Sequence, residues 1–179
     1  MKWAVIPFIL LILLLPCAKP QIQKRMQSHR SRVYAQVDRD TKFDFENKDG
    51  NRLSLRMPLE EASTIMGTDD LTQYKTKETT WSIYYTYGPF EFITAPQDEY
   101  FKDRVVAIRY VKKDVSWKLV PGAADIGMSK AEITANLGDT SENYPQEPDA
   151  WTYLFNSNTN LTIIFTDDKV SQIELWMGM

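Results

Sequence analysis

The chain has 179 residues, of which 43% are hydrophobic and 25% are charged, with 7 Gly and 9 Pro. This composition is typical of a globular protein and excludes a collagen, a coiled-coil rod or a long disordered chain. A single Cys excludes a disulfide framework and a multi-cysteine zinc site, and the single His leaves little scope for Ser-His-Asp chemistry. The net charge of −3 excludes a strongly basic nucleic-acid-binding domain. We therefore expect no cofactor, no metal ion and no nucleic-acid partner.

The N-terminus has the form of a targeting segment. Residues 3–16 are uncharged and mostly apolar, and they follow Met1 and Lys2. A transmembrane helix needs roughly 20 apolar residues, so this shorter run is typical of a secretory signal peptide. The sequence Leu14-Leu15-Pro16-Cys17 resembles a bacterial lipoprotein box, in which the Cys bears the lipid, although Pro16 replaces the usual small residue. Residues 1–17 are predicted to be a signal peptide or a lipoprotein-type membrane anchor, with Cys17 as the lipidation site and an unmodified Cys as the alternative.

Residues 18–45 are interpreted as a basic tether. Five cationic residues precede the first acidic residue, Asp38; they are Lys19, Lys24, Arg25, Arg30 and Arg32. Such a segment can lie against anionic lipid, and we expect the protein to be exported and either anchored in the cell membrane, facing outside, or secreted. Because cationic flanks tend to stay in the cytoplasm, an inverted anchor with the bulk of the chain inside the cell is the alternative.

The rest of the chain contains an internal repeat, with one copy in residues 46–112 and the other in residues 113–179. Corresponding residues recur in the same order, at spacings that fall from 71 to 65; the pairs are Met57 and Met128, Glu61 and Glu132, Gly67 and Gly138, Trp81 and Trp151, and Asp103 and Asp168. Shorter hairpin loops in the second copy account for the falling spacing. Tandem copies of one supersecondary unit usually stack to share a core.

Each copy is predicted to form a short helix followed by strands. Ser129 and Glu132 form a capping box at the start of the second helix. The first helix carries an apolar stripe from Leu59 to Met66 and ends at Gly67. Alternating apolar residues predict strands near 81–87, 90–94, 105–111, 151–155, 161–166 and 170–176. The predicted fold is α+β, with two tandem units that each pack a short helix on an antiparallel sheet; the two sheets could join into one.

The second copy resembles a known repeat. The string Gly-Met-Ser-Lys-Ala-Glu-Ile at 127–133, followed by Leu137-Gly138, Trp151-x-Tyr153 and Asp168-Lys-Val-x-x-Ile173, is similar to the repeat of β-lactamase inhibitory protein and to the small lipoprotein of the outer-membrane β-barrel assembly machine. The resemblance covers about residues 50–179. It implies an exported, noncatalytic protein that binds other proteins through the exposed face of a continuous sheet.

Strand parity divides the sheet residues into two faces. One parity is predicted to be the core; its members are Trp81, Ile83, Tyr85, Trp151, Tyr153, Phe155, Leu161, Ile163 and Phe165. The opposite parity supplies the candidate binding residues, which are Tyr84, Arg109, Leu154, Ile164, Glu174 and Trp176. Tyr, Trp and Arg are the residue types that anchor protein interfaces.

The predicted function is that of an exported, membrane-tethered, noncatalytic module of the inhibitor or envelope-assembly type, whose partner is another protein. One alternative is a hydrolase of envelope polymers that uses surface carboxylates such as Asp69-Asp70 or Asp167-Asp168. It requires acidic side chains that converge in a cleft, whereas adjacent acids of this kind usually form turns. The other alternative is a purely structural module that presents or spaces something at the membrane, and it requires a polar outer sheet face.

Overall fold

The computed structural model describes residues 42–138, 149–156 and 159–177, together with the backbone of residues 142–143. Its elements in chain order are β1 (Asp44–Asn47), β2 (Arg52–Leu53), α1 (Leu59–Met66), a 3-10 turn (Leu71–Tyr74), β3 (Lys75–Glu78), β4 (Ile83–Tyr87), β5 (Phe90–Thr94), β6 (Val105–Tyr110), β7 (Trp117–Val120), α2 (Lys130–Leu137), β8 (Glu142–Asn143), β9 (Ala150–Asn156), β10 (Thr159–Thr166) and β11 (Lys169–Trp176). Sheet predominates and the two helices are short, so the predicted α+β class is confirmed.

The strands form two antiparallel sheets. The large sheet has eight strands in the order β3-β4-β5-β6-β11-β10-β9-β8, and the small sheet has three in the order β2-β1-β7. At the centre of the large sheet β6 pairs with β11, so that Arg109 lies opposite Glu174 and Ala107 lies opposite Trp176. The strands therefore do not all belong to one sheet, because β1, β2 and β7 pair only with one another.

The two helices begin and end where the sequence predicts. Helix α2 starts with the predicted capping box, in which the Glu132 backbone N–H donates to Ser129 Oγ at 3.3 Å and the Ser129 N–H donates to Glu132 Oε2 at 2.7 Å. Helix α1 starts after Pro58 and ends at Gly67, whose φ of +71° is the left-handed conformation that glycine adopts most easily. Asp167 and Asp168, both at positive φ, form the predicted turn between β10 and β11.

The core lies between one face of the large sheet and a layer made by α1, α2 and the small sheet. Phe45 of β1 packs against Phe90 and Tyr110, with ring centroids 5.1 and 5.4 Å apart. Phe43 packs against Phe155 at 4.4 Å. Phe43 and Phe45 are buried, so the predicted boundary of the tether at residue 45 is wrong. The folded part includes Phe43.

Most residues that parity assigns to the core are buried or packed against it, but Trp81 is not. Its side chain is 73% exposed, because the chain turns at 79–82 before β4 begins at Ile83. The Thr79 side-chain oxygen accepts the backbone N–H groups of Trp81 at 3.3 Å and Ser82 at 3.0 Å, and the Thr79 N–H donates to the Ser82 carbonyl at 2.8 Å. Threonine hydroxyls commonly close turns in this way, so the prediction of a buried Trp81 is wrong.

Each helix is attached to the large sheet by the same backbone contacts. The Val105 N–H donates to the Met57 carbonyl at 3.0 Å, and the Val170 N–H donates to the Met128 carbonyl at 2.8 Å. The residue just before each of those methionines has a positive φ, +70° at Arg56 and +92° at Gly127. Arginine adopts this conformation with strain, whereas glycine does not.

We expect Arg56→Gly to raise the free energy of unfolding by about 0.5–1 kcal/mol, because it relieves a left-handed backbone strain that exceeds the entropy cost of glycine. The reverse change, Gly127→Ala, should lower it by about 1 kcal/mol, since a Cβ there meets open space and the cost is conformational only. Urea unfolding measures both changes. Arg56→Ala is the control, since it removes the side chain and keeps the strain; equal effects of Arg56→Ala and Arg56→Gly would contradict the explanation.

The capping box predicts a pH dependence of stability. Hydrogen bonds from the backbone and hydroxyl of Ser129 hold the pKa of the Glu132 carboxyl below its ordinary value. A depressed carboxyl pKa stabilises the fold above the unfolded-state pKa, and this contribution is lost as the pH falls through the folded-state pKa. Wild type should therefore be more stable than Glu132→Gln at pH 7, and the difference should fade between about pH 5 and pH 3. Glu60→Gln, on the first turn of α1, is the control, and an equal pH effect there would refute the assignment.

Candidate functional site

The six candidate binding residues all lie on the face of the large sheet that points away from the core, which we call the outer face. Tyr84 lies on β4, Arg109 on β6, Ile164 on β10 and Leu154 on β9. Glu174 and Trp176 lie on β11. Each of the six is half-buried, and none belongs to the core cluster or packs against it. The structure therefore brings all six to one surface.

The strand register arranges the outer face in adjacent rows. One row crosses six strands in the order Tyr84, Ile93, Ala107, Trp176, Asn160 and Leu154. The next row crosses in the order Glu91, Arg109, Glu174, Thr162 and Thr152. Ile164 lies one row further, opposite Gln172. The sequence reasoning missed Ile93 and Glu91, although the alternation with Phe90 and Phe92 in β5 would have placed both on this face.

Arg109 is the electrostatic centre of the outer face. Its Nη1 donates to Glu91 Oε1 at 2.8 Å and its Nε donates to Glu174 Oε1 at 3.0 Å, and the guanidinium lies 5.7 Å from the centre of the Tyr84 ring. Burial opposes the charge of Arg109, but the two carboxylates outweigh that effect and raise its pKa. Arg109 is therefore held in place by its neighbours, and it links β5, β6 and β11.

A second polar group fixes the indole of Trp176. Its Nε1 donates to Thr162 Oγ1 at 3.0 Å, and the hydroxyl of Thr162 lies 3.0 Å from that of Thr152. The indole N–H is thereby satisfied while the ring remains half-exposed. An aromatic side chain held in one orientation loses little conformational entropy when it binds.

The outer face also carries apolar side chains beside these polar contacts. Ile93 and Ala107 are 5% and 6% exposed and lie between Tyr84 and Trp176 in the first row. Leu154 and Ile164 remain half-exposed at the far side. Aromatic and aliphatic side chains at a surface suit contact with an apolar partner surface. Because the two bonds of Arg109 go to neighbouring carboxylates, the face offers little as an anion-binding or acid–base site.

The acidic residues considered for hydrolysis lie elsewhere. Asp70 caps the 3-10 turn, and bonds from the hydroxyl and backbone N–H of Thr72 hold the pKa of its carboxyl below the ordinary value. An open groove of about 770 Å³ runs beside α1, on the core side of the large sheet, and includes Glu60 and Glu61 in its lining. In the part of the chain that the structure describes, no group of three or more His, Cys, Asp or Glu side chains is placed so that it could hold a metal ion.

Two other predicted features fall outside the described residues, namely the lipidation site Cys17 and the tether from residue 18 to residue 41. Among the helices that are described, none combines the length and the apolar character needed to cross a membrane.

Comparison with known proteins found no matching protein-family model, no matching curated protein and no matching solved structure. Function must therefore be inferred from the geometry of the chain itself.

We expect Arg109→Met to lower the free energy of unfolding at pH 7 by about 1–2 kcal/mol, because it removes the cation between two half-buried carboxylates that then repel each other. Salt screens this repulsion, so the deficit should shrink when the NaCl concentration is raised. Urea unfolding at low and high NaCl concentration measures it. Lys75→Met is the control, since it breaks the exposed pair with Glu78, and exposed pairs contribute little. A deficit that is the same at both salt concentrations would contradict the electrostatic role of Arg109.

Proposed function

We propose that the protein is an exported, membrane-tethered module of two tandem helix-and-sheet units that binds another protein through the outer face and has no catalytic activity. The observation that carries the proposal is the outer face itself, where half-buried aromatic and aliphatic side chains lie around an arginine held by two carboxylates. The resemblance of the repeat to that of β-lactamase inhibitory protein points in the same direction.

The tandem architecture is supported by contacts that recur at the spacings found in the sequence. An isolated backbone bridge joins Pro58 to Arg104 in the first half and Ser129 to Lys169 in the second. Ser129 lies 71 residues after Pro58 and Lys169 lies 65 residues after Arg104, which are the spacings of the sequence repeat. Strands β3 to β6 follow α1, and strands β8 to β11 follow α2, with β6 and β11 adjacent at the centre. We infer an approximate two-fold relation between the halves, and one continuous sheet made from both.

Protein recognition is favoured over a purely structural role by the composition of the outer face. A face that only presents or spaces something needs no large aromatic or aliphatic side chains, since no binding energy would be drawn from it, whereas the outer face carries them among its polar residues. Tyr84, Trp176 and Arg109 instead belong to the residue types that contribute most to protein interfaces. Leu154 and Ile164 extend the apolar surface onto the strands of the second half.

Noncatalytic binding is favoured over hydrolysis by the state of the carboxylates. A general acid needs a raised pKa. In three described carboxyl groups the pKa is lowered: in Glu46 by hydrogen bonds from Lys118 and Arg52, in Asp70 by Thr72, and in Glu132 by Ser129. These groups act as caps and surface ion pairs.

The membrane tether rests on the sequence of the N-terminal segment. The apolar run at 3–16 and Cys17 supply the means of attachment, and basic residues follow them. An acyl chain alone binds a membrane weakly, and an adjacent polybasic segment supplies the second attractive contribution that stable anchoring needs.

The test is site-specific photo-crosslinking in cells that express the full chain. A benzophenone amino acid at Leu154 or Ile164 on the outer face should give a discrete crosslinked protein. The same amino acid at Thr64, an exposed position of α1, should not. Tyr84→Ala together with Trp176→Ala should abolish the crosslink without a comparable loss of thermal stability.

If the double variant unfolds, Ile164→Thr with the crosslinker at Leu154 provides the second arm, because it makes the outer face more polar without emptying it. A crosslinked species of equal yield from Thr64, or none from either outer-face position, would contradict the proposed binding face.

Intact mass of the membrane-bound protein tests the tether separately, because a chain that begins at Cys17 and carries acyl groups is expected.

A further inference from the structure

Three features of the described chain lie at one end of the large sheet, which we call the tether-side rim. They are the turn at 79–82, the loop at 95–104 and the entry of the chain at Lys42–Phe43. Ile83 pairs with Thr94, so the turn before β4 and the loop after β5 lie side by side at this end. Phe155 lies near the end of β9, at the same end of the sheet, and Phe43 packs on it at 4.4 Å.

Trp81 projects from this rim on a hydrogen-bonded turn. The turn that carries it is closed by backbone hydrogen bonds to the hydroxyl of Thr79, yet the indole is 73% exposed. The corresponding residue of the second half, Trp151, is half-buried, packs on Phe165 at 4.8 Å and has the Lys130 ammonium 6.0 Å from its ring centre. The first half therefore leaves exposed the side chain that the second half covers.

The loop at 95–104 adds a second exposed aromatic ring. The side chain of Tyr100 is 65% exposed, and its backbone N–H donates to Asp98 Oδ1 at 2.9 Å. Its ring contacts the edge of Phe101 at 4.7 Å, and the Arg104 guanidinium lies 5.4 Å from its centre. At the corresponding place the second half has only the two-residue turn Asp167-Asp168 between β10 and β11. The loop is thus an addition specific to the first half.

The proposed tether keeps the folded part of the chain within reach of the membrane. Residues 18–41 number 24, and a chain spans at most about 3.5 Å per residue, so Lys42 stays within about 80 Å of an anchor at Cys17. Confinement of this kind makes a weak second contact effective, because its local concentration is high. Trp and Tyr are the side chains that favour the headgroup layer of a bilayer.

We propose that the tether-side rim lies on the membrane, with the rings of Trp81 and Tyr100 seated in the phospholipid headgroup layer. The inference rests on the proposed membrane tether and is independent of the outer face. The contact is aromatic rather than electrostatic, because the cations Lys102 and Arg104 share their loop with three carboxylates. Zwitterionic phosphatidylcholine should therefore suffice, and the contact should persist at high salt.

The experiment uses the full chain with Trp3→Phe, since Trp3 lies in the apolar run. The protein is reconstituted in phosphatidylcholine vesicles whose acyl chains carry bromine close to the headgroups, and quenching of tryptophan fluorescence is measured. Addition of Trp81→Phe should reduce the quenching to the level seen in vesicles without bromine. Addition of Trp151→Phe instead is the matched control and should leave the quenching in place.

Tyr100→Ala should weaken the quenching of Trp81, whereas Val115→Ala should not, because Val115 is 94% exposed in the loop at the opposite end of the sheet. Quenching that is unaffected by Trp81→Phe, in protein that floats with the vesicles, would overturn the rim contact and leave the tether standing. Protein that does not float with the vesicles would overturn both. Neither result would bear on the crosslinks from the outer face.

Discussion

The pairing of β6 with β11 is the contact on which the rest of the structure depends. Four residue pairs join these strands, from Ile173 opposite Tyr110 to Trp176 opposite Ala107. On the core side they bring together Ile108, Tyr110, Ile173 and Leu175, all almost fully buried. On the other side they place Arg109 against Glu174. The same pairing therefore closes the hydrophobic core and assembles the centre of the outer face. We call the pairing of β6 with β11 the seam, and a change at the seam affects both.

The small sheet completes the core at this seam. Its strands come from the beginning of the folded chain and from the segment between the halves, and β1 pairs with both β2 and β7. Phe45 reaches Phe90 and Tyr110, while Trp117 of β7 meets Phe90 edge-on at 5.0 Å. Burial of side chains of this size contributes several kcal/mol. The segment at residues 43–47 is thus a structural part of the domain, because its phenylalanines pack at the pairing of β6 with β11 and on β9.

The helices, the central strands and the two faces of the sheet could be predicted because each has a local signal. Ser129 and Glu132 form a cap within one helical turn, and alternation along β10 and β11 separates the faces without reference to any partner strand. The small sheet is not predicted because β2 has only two residues and the pairing of β1 with β7 joins residues far apart in sequence, although the alternation of Phe43 and Phe45 with acidic residues is a local signal for β1. Trp81 was misassigned because strand alternation was extended through a turn that the hydroxyl of Thr79 closes.

The two proposed surfaces draw on the halves of the chain in different ways. The outer face draws on both, since Glu91 and Arg109 come from the first half and Glu174 and Thr162 from the second, and neither half alone would provide it. A partner bound there would recognise the assembled sheet, so its affinity should follow the integrity of the seam. The tether-side rim draws its two exposed rings from the first half, where a loop is longer and a tryptophan is exposed. The proposed duplication of one unit accounts for the backbone contacts that the halves share. The proposed lipid contact at one end of the sheet leaves the proposed protein-binding face uncovered.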